Sequence, residues 1–202
     1  MKPKTVLILI FLVGLPIFAL CAIPGMINNH TAPATAMPTP VTANDGDFKT
    51  SLPPTPAPPG QTVFYDGLQV TIDHAELSTD YLTEYGSRRE PPAGMKFLWV
   101  QVAVKNSNTQ AHDLPAVEHF SALYDGGEFK PTYGHRQAYA DYTVLDGVLY
   151  PGQSVAAWLR FDVPAVAELA MSQFAYLPTS SRVAYLNYTG DDHPVFLWRL
   201  AP

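Results

Sequence analysis

From Gln61 to the C-terminus the apolar side chains recur at every second position, not every third or fourth. A period of two is the pleat of a β-strand with one buried face, so this stretch is confined to sheet. Leu68, Val70 and Ile72 alternate with Gln69, Thr71 and Asp73. In residues 96–106, Leu98, Val100, Val102 and Val104 fall on one face, while Phe97, Trp99, Gln101 and Lys105 fall on the other. In residues 154–163, Val155, Ala157, Leu159, Phe161 and Val163 point inward, with Trp158, Arg160 and Asp162 outward. Further strands are expected at 62–65, 117–124, 128–133, 144–150, 173–177, 182–188 and 194–200, and one short helical stretch at Ala165–Met171.

The punctuation between these runs is turn chemistry. Asp66-Gly67 and Asp125-Gly126-Gly127 are hairpin signals. Pro151-Gly152 supplies the fixed and the permissive φ of a type II turn. Pro164 ends the strand that opens at Ser154, because it cannot donate to a ladder. Many short strands so punctuated make a β-sandwich or a barrel, with antiparallel sheets that turn one face to the core and the other to solvent. The stretch 61–202 is 142 residues long, enough to bury roughly 70% of its unfolded surface without a staple. The single cysteine, Cys21, excludes an internal disulfide and any thiolate cluster.

Three stretches carry a family resemblance: GMKFLWVQVAVKN (94–106), FSALYDGGEF (120–129) and LYPGQSVAAWLRFDVP (149–164). Together they resemble a family of exported bacterial immunoglobulin-like domains of unknown function, similar in fold to a mycobacterial secreted antigen. The resemblance covers roughly residues 60–178 and implies export and an immunoglobulin-like fold; its motifs are turns and core positions and imply no activity. The expectation is therefore all-β: an immunoglobulin-like antiparallel β-sandwich of about eight to nine strands at 61–202. One N-terminal transmembrane helix and a disordered Pro-rich linker are expected to precede it.

That helix is expected at 5–27, after a cytoplasmic N-terminus at 1–4. Thr5–Ile27 has no ionisable side chain except Cys21, and Lys2 and Lys4 stand before it. As a helix it would reach roughly 34 Å, enough for a hydrocarbon core of about 30 Å, and flanking cations stay cytoplasmic. Three fates are open: a retained signal anchor, a peptide cleaved near Ala34-Thr35-Ala36, or lipidation at Cys21. All three place the C-terminal domain outside the cell. The linker, 28–60, holds eight prolines, which block both helix and sheet and favour an extended spacer.

The stretch 61–202 carries 16 acids against 9 bases, which excludes nucleic acid as a partner because its binders neutralise phosphate with basic patches. Gly152-Gln153-Ser154 has the wrong context for a nucleophile elbow, since the serine opens a strand. His112, Glu118 and His119 form the one candidate metal set, although no tight ligand spacing joins them. Asn187-Tyr188-Thr189 fits a glycan acceptor pattern, and Asp191-Asp192-His193 reads as a solvated turn. The better candidate surface is the loop 131–152, with Tyr133, His135, Arg136, Tyr139 and Tyr142, because tyrosine brings a rigid apolar face with a polar tip. The loop 83–94, with Arg88 and Arg89, reads as a solvated tip.

The function expected from these residues is a non-catalytic, membrane-tethered extracytoplasmic binding module of the cell envelope, with no cofactor and with an envelope protein or a glycan as ligand. The alternative is an envelope ligand carrier or metal-binding protein using His112, Glu118 and His119. An enzyme of unrecognised type ranks third.

Overall fold

The computed structural model describes residues 54–179 and 194–202. The expected membrane segment, Cys21, the linker as far as residue 53, the strand at 182–188 and the motifs at 187–189 and 191–193 lie outside the described residues.

Two four-stranded antiparallel sheets face each other across one core. The first has the order β1-β2-β5-β10, built from Thr62–Tyr65, Leu68–Ser78, Met95–Asn106 and Ser154–Pro164. The second has the order β12-β11-β7-β8, from Phe196–Arg199, Ser172–Tyr176, Phe120–Tyr124 and Gly127–Phe129. Among the described residues two ribbons of two-residue strands add to these sheets: β3 (Tyr81–Leu82) with β4 (Arg88–Arg89), and β6 (His112–Asp113) with β9 (Val148–Leu149).

The alternation read from sequence is the alternation of burial. Leu98, Val100, Val102 and Val104 of β5 meet Ala157, Leu159, Phe161 and Val163 of β10 in the interior, with Phe120, Phe174 and Trp198 of the second sheet opposite. In β2 the phase slips once. The ladder shifts between Ile72 and His74, so Leu68, Val70 and Ile72 point inward before the slip and Ala75 and Leu77 after it. An extra residue inserted in one strand has that effect on every side chain beyond it.

Asp66 and Gly67, like Asp125 and Gly126, take positive φ, the left-handed pair that a two-residue hairpin needs to match strand twist. The asparagine closing β5 also has a physical role. Asn106 is fully buried; its Nδ2 donates to the carbonyls of Gln110 and Leu149, and its Oδ1 accepts from Asn108 N–H. Its backbone C=O accepts from Gly152 and its N–H donates to Gln153, so this one residue joins the loop after β5, the strand β9 and the Pro-Gly turn.

Several expectations are corrected. Residues 117–119, expected to open a strand, form a single 3₁₀ turn; of the strand expected at 144–150 only Val148–Leu149 pairs, and Val144 ends a 3₁₀ turn at Tyr142–Val144. The strand expected at 128–133 stops at Phe129, two residues before Pro131, which has no N–H for a ladder. The helix expected at Ala165–Met171 is only a 3₁₀ turn at Leu169–Met171; seven residues are too few to repay helix nucleation. The packed chain also begins before residue 61. Ala57 N–H donates to Leu197 O and Arg199 N–H to Ala57 O, both at 2.8 Å. Finally, neither sheet leaves its outer face simply to water: Leu123, Ala175, Leu177, Val195 and Leu197 form a buried cluster on the second sheet, and a different cluster covers the first.

Candidate functional site

The outer face of the first sheet carries Phe97 and Trp99, side chains that alternation alone assigns to solvent. They are 2% and 1% exposed, because two segments fold over them. Tyr81 of β3 packs edge-on to both rings, at 5.1 Å from each. Tyr139, from the loop after β8, stacks on Trp158 at 4.1 Å and meets Trp99 edge-on at 5.7 Å. Gln137 N–H donates to Leu82 O at 2.8 Å, tying the loop to the β3–β4 ribbon. The loop also runs along the free edge of β10: Thr132 N–H donates to Arg160 O, and Trp158 N–H to Ala140 O, each at 2.7 Å. An edge strand otherwise offers unpaired N–H and C=O groups to any passing chain.

Two arginines lock this cover in place. Arg136 lies over Tyr139 at 4.2 Å and Trp99 at 5.4 Å and forms an ion pair with Glu76 of β2. Arg160 lies over Phe97 at 5.0 Å; its Nε donates to Thr132 Oγ1 at 3.0 Å and its Nη1 to Tyr81 Oη at 2.9 Å. Gly134 rests directly against that guanidinium. A Cβ there would lie 2.5 Å from Arg160 Nη1, so any larger residue would have to displace the guanidinium from its place. Ala138 takes a positive φ of 67°, a strained conformation for a residue with a Cβ, held between the Gln137 and Tyr139 contacts.

Between ribbon and loop the two covers leave a groove of about 520 Å³. Buried Tyr81 and Phe97 form its floor beside Arg160 and Asp162; Tyr85, Arg89 and Glu90 flank one side, and Tyr133 and His135 the other. Tyr85 and Tyr133 are 87% and 62% exposed. Asp162 Oδ1 is buried and accepts no hydrogen bond; its charged neighbour is Arg160 Nε at 3.8 Å.

The five loop residues expected to form one surface therefore separate. Tyr133 and His135 face the groove, edge to face at 4.7 Å, and His135 Nδ1 lies 3.5 Å from Asp141 Oδ2. Arg136 and Tyr139 clamp the loop onto the sheet. Tyr142 is in the main core, fully buried, edge-on to Phe120, with its hydroxyl donating to Pro115 O at 2.9 Å. Burial raises its pKa and keeps the phenol protonated. The Asp141 carboxylate, capping the turn that Tyr142 opens by accepting from Thr143 N–H at 2.8 Å, points that ring inward. Arg160, Asp162, Tyr81 and Tyr85 were not singled out from sequence. The available signal was three large aromatics, Phe97, Trp99 and Trp158, at positions expected to face outward.

The His112, Glu118 and His119 set is not assembled. Among the described residues no three His, Cys, Asp or Glu side chains could hold a metal ion together. His112 spends both ring nitrogens, on Asp113 O at 2.9 Å and Asp66 Oδ2 at 3.1 Å. Those bonds, the backbone one foremost, raise its pKa. His119 is the reverse: burial lowers its pKa, and its Nδ1 is buried with no partner. Arg88 and Arg89 sit in β4, with Arg88 paired to Asp80 and Arg89 at the groove.

Residues 58–178 match the family described as Domain of unknown function (DUF4352). The chain belongs to that family. The DUF4352 region spans both sheets except β12, and it includes both covers of the groove. In outline the fold is similar to the yjhA protein from Bacillus subtilis, 14% identical over 70% of this chain and 97% of that one, with a TM-score of 0.48. It is also similar to MPT63, a secreted protein from Mycobacterium tuberculosis, 15% identical over 74% and 99% at 0.48. An uncharacterized β-sandwich protein from Clostridium difficile 630 is 13% identical over 74% and 97% at 0.43. No curated protein matches the chain. Among the described residues no helix is long and apolar enough to cross a membrane.

Proposed function

We propose that this chain is a non-catalytic, membrane-tethered binding module of the cell envelope, and that the groove on the outer face of its first sheet is the contact surface. The domain is read as immunoglobulin-like and extracytoplasmic, held by residues 5–27 and spaced by the Pro-rich stretch. Support for the tether is the apolar run behind Lys2 and Lys4. The observation that carries the binding reading is the pairing of two exposed tyrosines with a fixed guanidinium around one cleft. Ligand sites combine a largely preformed concave surface with a few polar groups that set orientation. The non-catalytic reading rests on accessibility. Ser121 Oγ does contact Lys130 Nζ at 2.9 Å and Glu128 Oε1 at 2.7 Å, but Ser121 is fully buried and meets no substrate.

The test is a photo-crosslinking amino acid placed at Tyr133 in cells, with Phe64 on β1, exposed and outside the groove, as the control position. Specific adducts from position 133, and surface protease releasing the domain from intact cells, are the expected results. Equal labelling from both positions, or a protected domain, would defeat the proposal.

A further inference from the structure

We infer that the groove binds an uncharged saccharide, an inference that rests on the groove being the contact surface. Charge comes first. The groove carries Arg89 and Arg160 against Glu90 and Asp162, so the formal charges cancel, and the two at its floor sit 3.8 Å apart. An anionic ligand would find no surplus cation there and would approach a domain that is acidic as a whole. A cationic ligand would find no surplus acid in the groove itself.

Hydrogen-bonding capacity narrows the class further. Arg160 is preorganised by Thr132, Tyr81 and the Phe97 face, and a fixed donor loses little freedom when a ligand arrives. Beside it Asp162 lines the groove; its Oδ1 is buried without a hydrogen bond, and the 22% of the side chain that stays exposed offers a ligand acceptor capacity only. A donor and an acceptor side by side suit a pair of neighbouring hydroxyls, since each hydroxyl both donates and accepts. A Pro-rich peptide brings carbonyl acceptors and few donors, so it would leave Asp162 unfilled. The exposed rings of Tyr85 and Tyr133 then supply the flat apolar faces on which the C–H face of a sugar ring can lie.

The experiment is calorimetric titration of the full chain, in detergent, with neutral hexasaccharides of β-1,4-linked glucose, mannose and N-acetylglucosamine. An oligogalacturonate and the peptide PPTPAPPG are titrated alongside. At least one neutral sugar is expected to bind, with an affinity that barely changes as salt rises from about 0.05 to about 0.5 M, since screening acts on charge. Tyr133→Ala, Tyr85→Ala and Asp162→Ala should each weaken it about ten-fold or more, while Phe64→Ala leaves it unchanged and circular dichroism shows every variant folded. Preference for the acid or the peptide, no neutral sugar bound, or sugar binding indifferent to the three groove variants would each overturn the inference. If position 133 still crosslinks specifically in cells while no neutral sugar binds, the ligand class falls and the contact surface stands.

Discussion

The two faces of the sheet β1-β2-β5-β10 are built from the same strands by different chemistry. Its inner face is closed and, apart from Phe161, aliphatic: Val100, Val102, Val104, Leu159 and Val163 interlock with the second sheet and carry no polar atom on their side chains. Its outer face is aromatic and cationic: Phe97, Trp99 and Trp158 lie under Tyr81 and Tyr139, with Arg136 and Arg160 laid across the rings. The inner face is made by strands alone and needs only alternation. The outer face needs two loops to arrive, and what holds them is ring stacking, an ion pair and a glycine small enough to touch Arg160. A face assembled in that way can leave a cleft; an interlocked core cannot, because interiors pack to crystal density.

The largest effect should therefore come from the inner face. Phe161 is fully buried and meets Phe174 edge-on at 5.9 Å, so Phe161→Ala should cost about 3–5 kcal/mol through lost transfer energy and the cavity left behind. Urea unfolding should show a lower midpoint with one cooperative transition. A loss under about 1 kcal/mol would mean that the two sheets do not share one core.

On the outer face the loss should be smaller and local. Tyr139→Ala removes the stack on Trp158 and the surface beneath Arg136, worth about 1–2 kcal/mol. Hydrogen exchange should rise along 131–142 and stay slow across the β5–β10 ladder. Equal acceleration of both would show that the cover and the sandwich unfold as a single unit, and the contrast drawn between the faces would fail.

This contrast also marks what could be read before any coordinates. β5 and β10 were legible because strict alternation over eleven or twelve residues admits one register, and Asp66-Gly67 and Pro151-Gly152 announced their turns. Alternation states only that Trp158, Arg160 and Asp162 point away from the core; it is silent on what lies over them. The loop 131–152 was recognisable as aromatic, but a loop has no period, so nothing in the residue order separated Tyr133 at the groove from Tyr142 in the core. That separation depends on the Asp141 cap and on the inward turn it starts. The 3₁₀ turn at 117–119 and the two-residue extent of β9 within 144–150 were not legible, because two or three residues cannot display a period at all.

Two histidines carry the contrast between dry and wet surroundings into pH dependence. Burial lowers the pKa of His119 from 6.5, so as pH falls through 6.5 the unfolded chain takes up a proton that the fold refuses, and stability declines. His112 is raised from 6.5 by its bonds to Asp113 and Asp66. Its contribution is complete below 6.5 and disappears as pH rises through the folded value. Acidification is thus opposed by one and favoured by the other. Urea midpoints measured at about pH 7 and about pH 5 should fall less for His119→Gln than for the parent, and more for His112→Gln. The reverse order would mean that the two environments have been exchanged.

The smallest stability effect is expected where the binding effect is expected to be greatest. Tyr133 is mostly exposed and touches His135 edge-on; it has no place in the Arg136–Tyr139 clamp or in any of the three buried clusters of the described residues. Removing an exposed ring uncovers little apolar surface, so Tyr133→Ala should shift stability by less than about 0.5 kcal/mol. Its neighbour in the loop, Gly134, should behave in the opposite way. Gly134→Ala would drive a methyl group against the Arg160 guanidinium, displace it from Thr132 Oγ1 and Tyr81 Oη and lower stability even though it adds apolar surface. Denaturant midpoints for the pair decide the matter. A silent Tyr133→Ala beside a destabilised Gly134→Ala means that the loop is held from beneath and offers its tyrosine outward. A destabilised Tyr133→Ala would mean that the ring is part of the cover, and no longer free to meet a ligand.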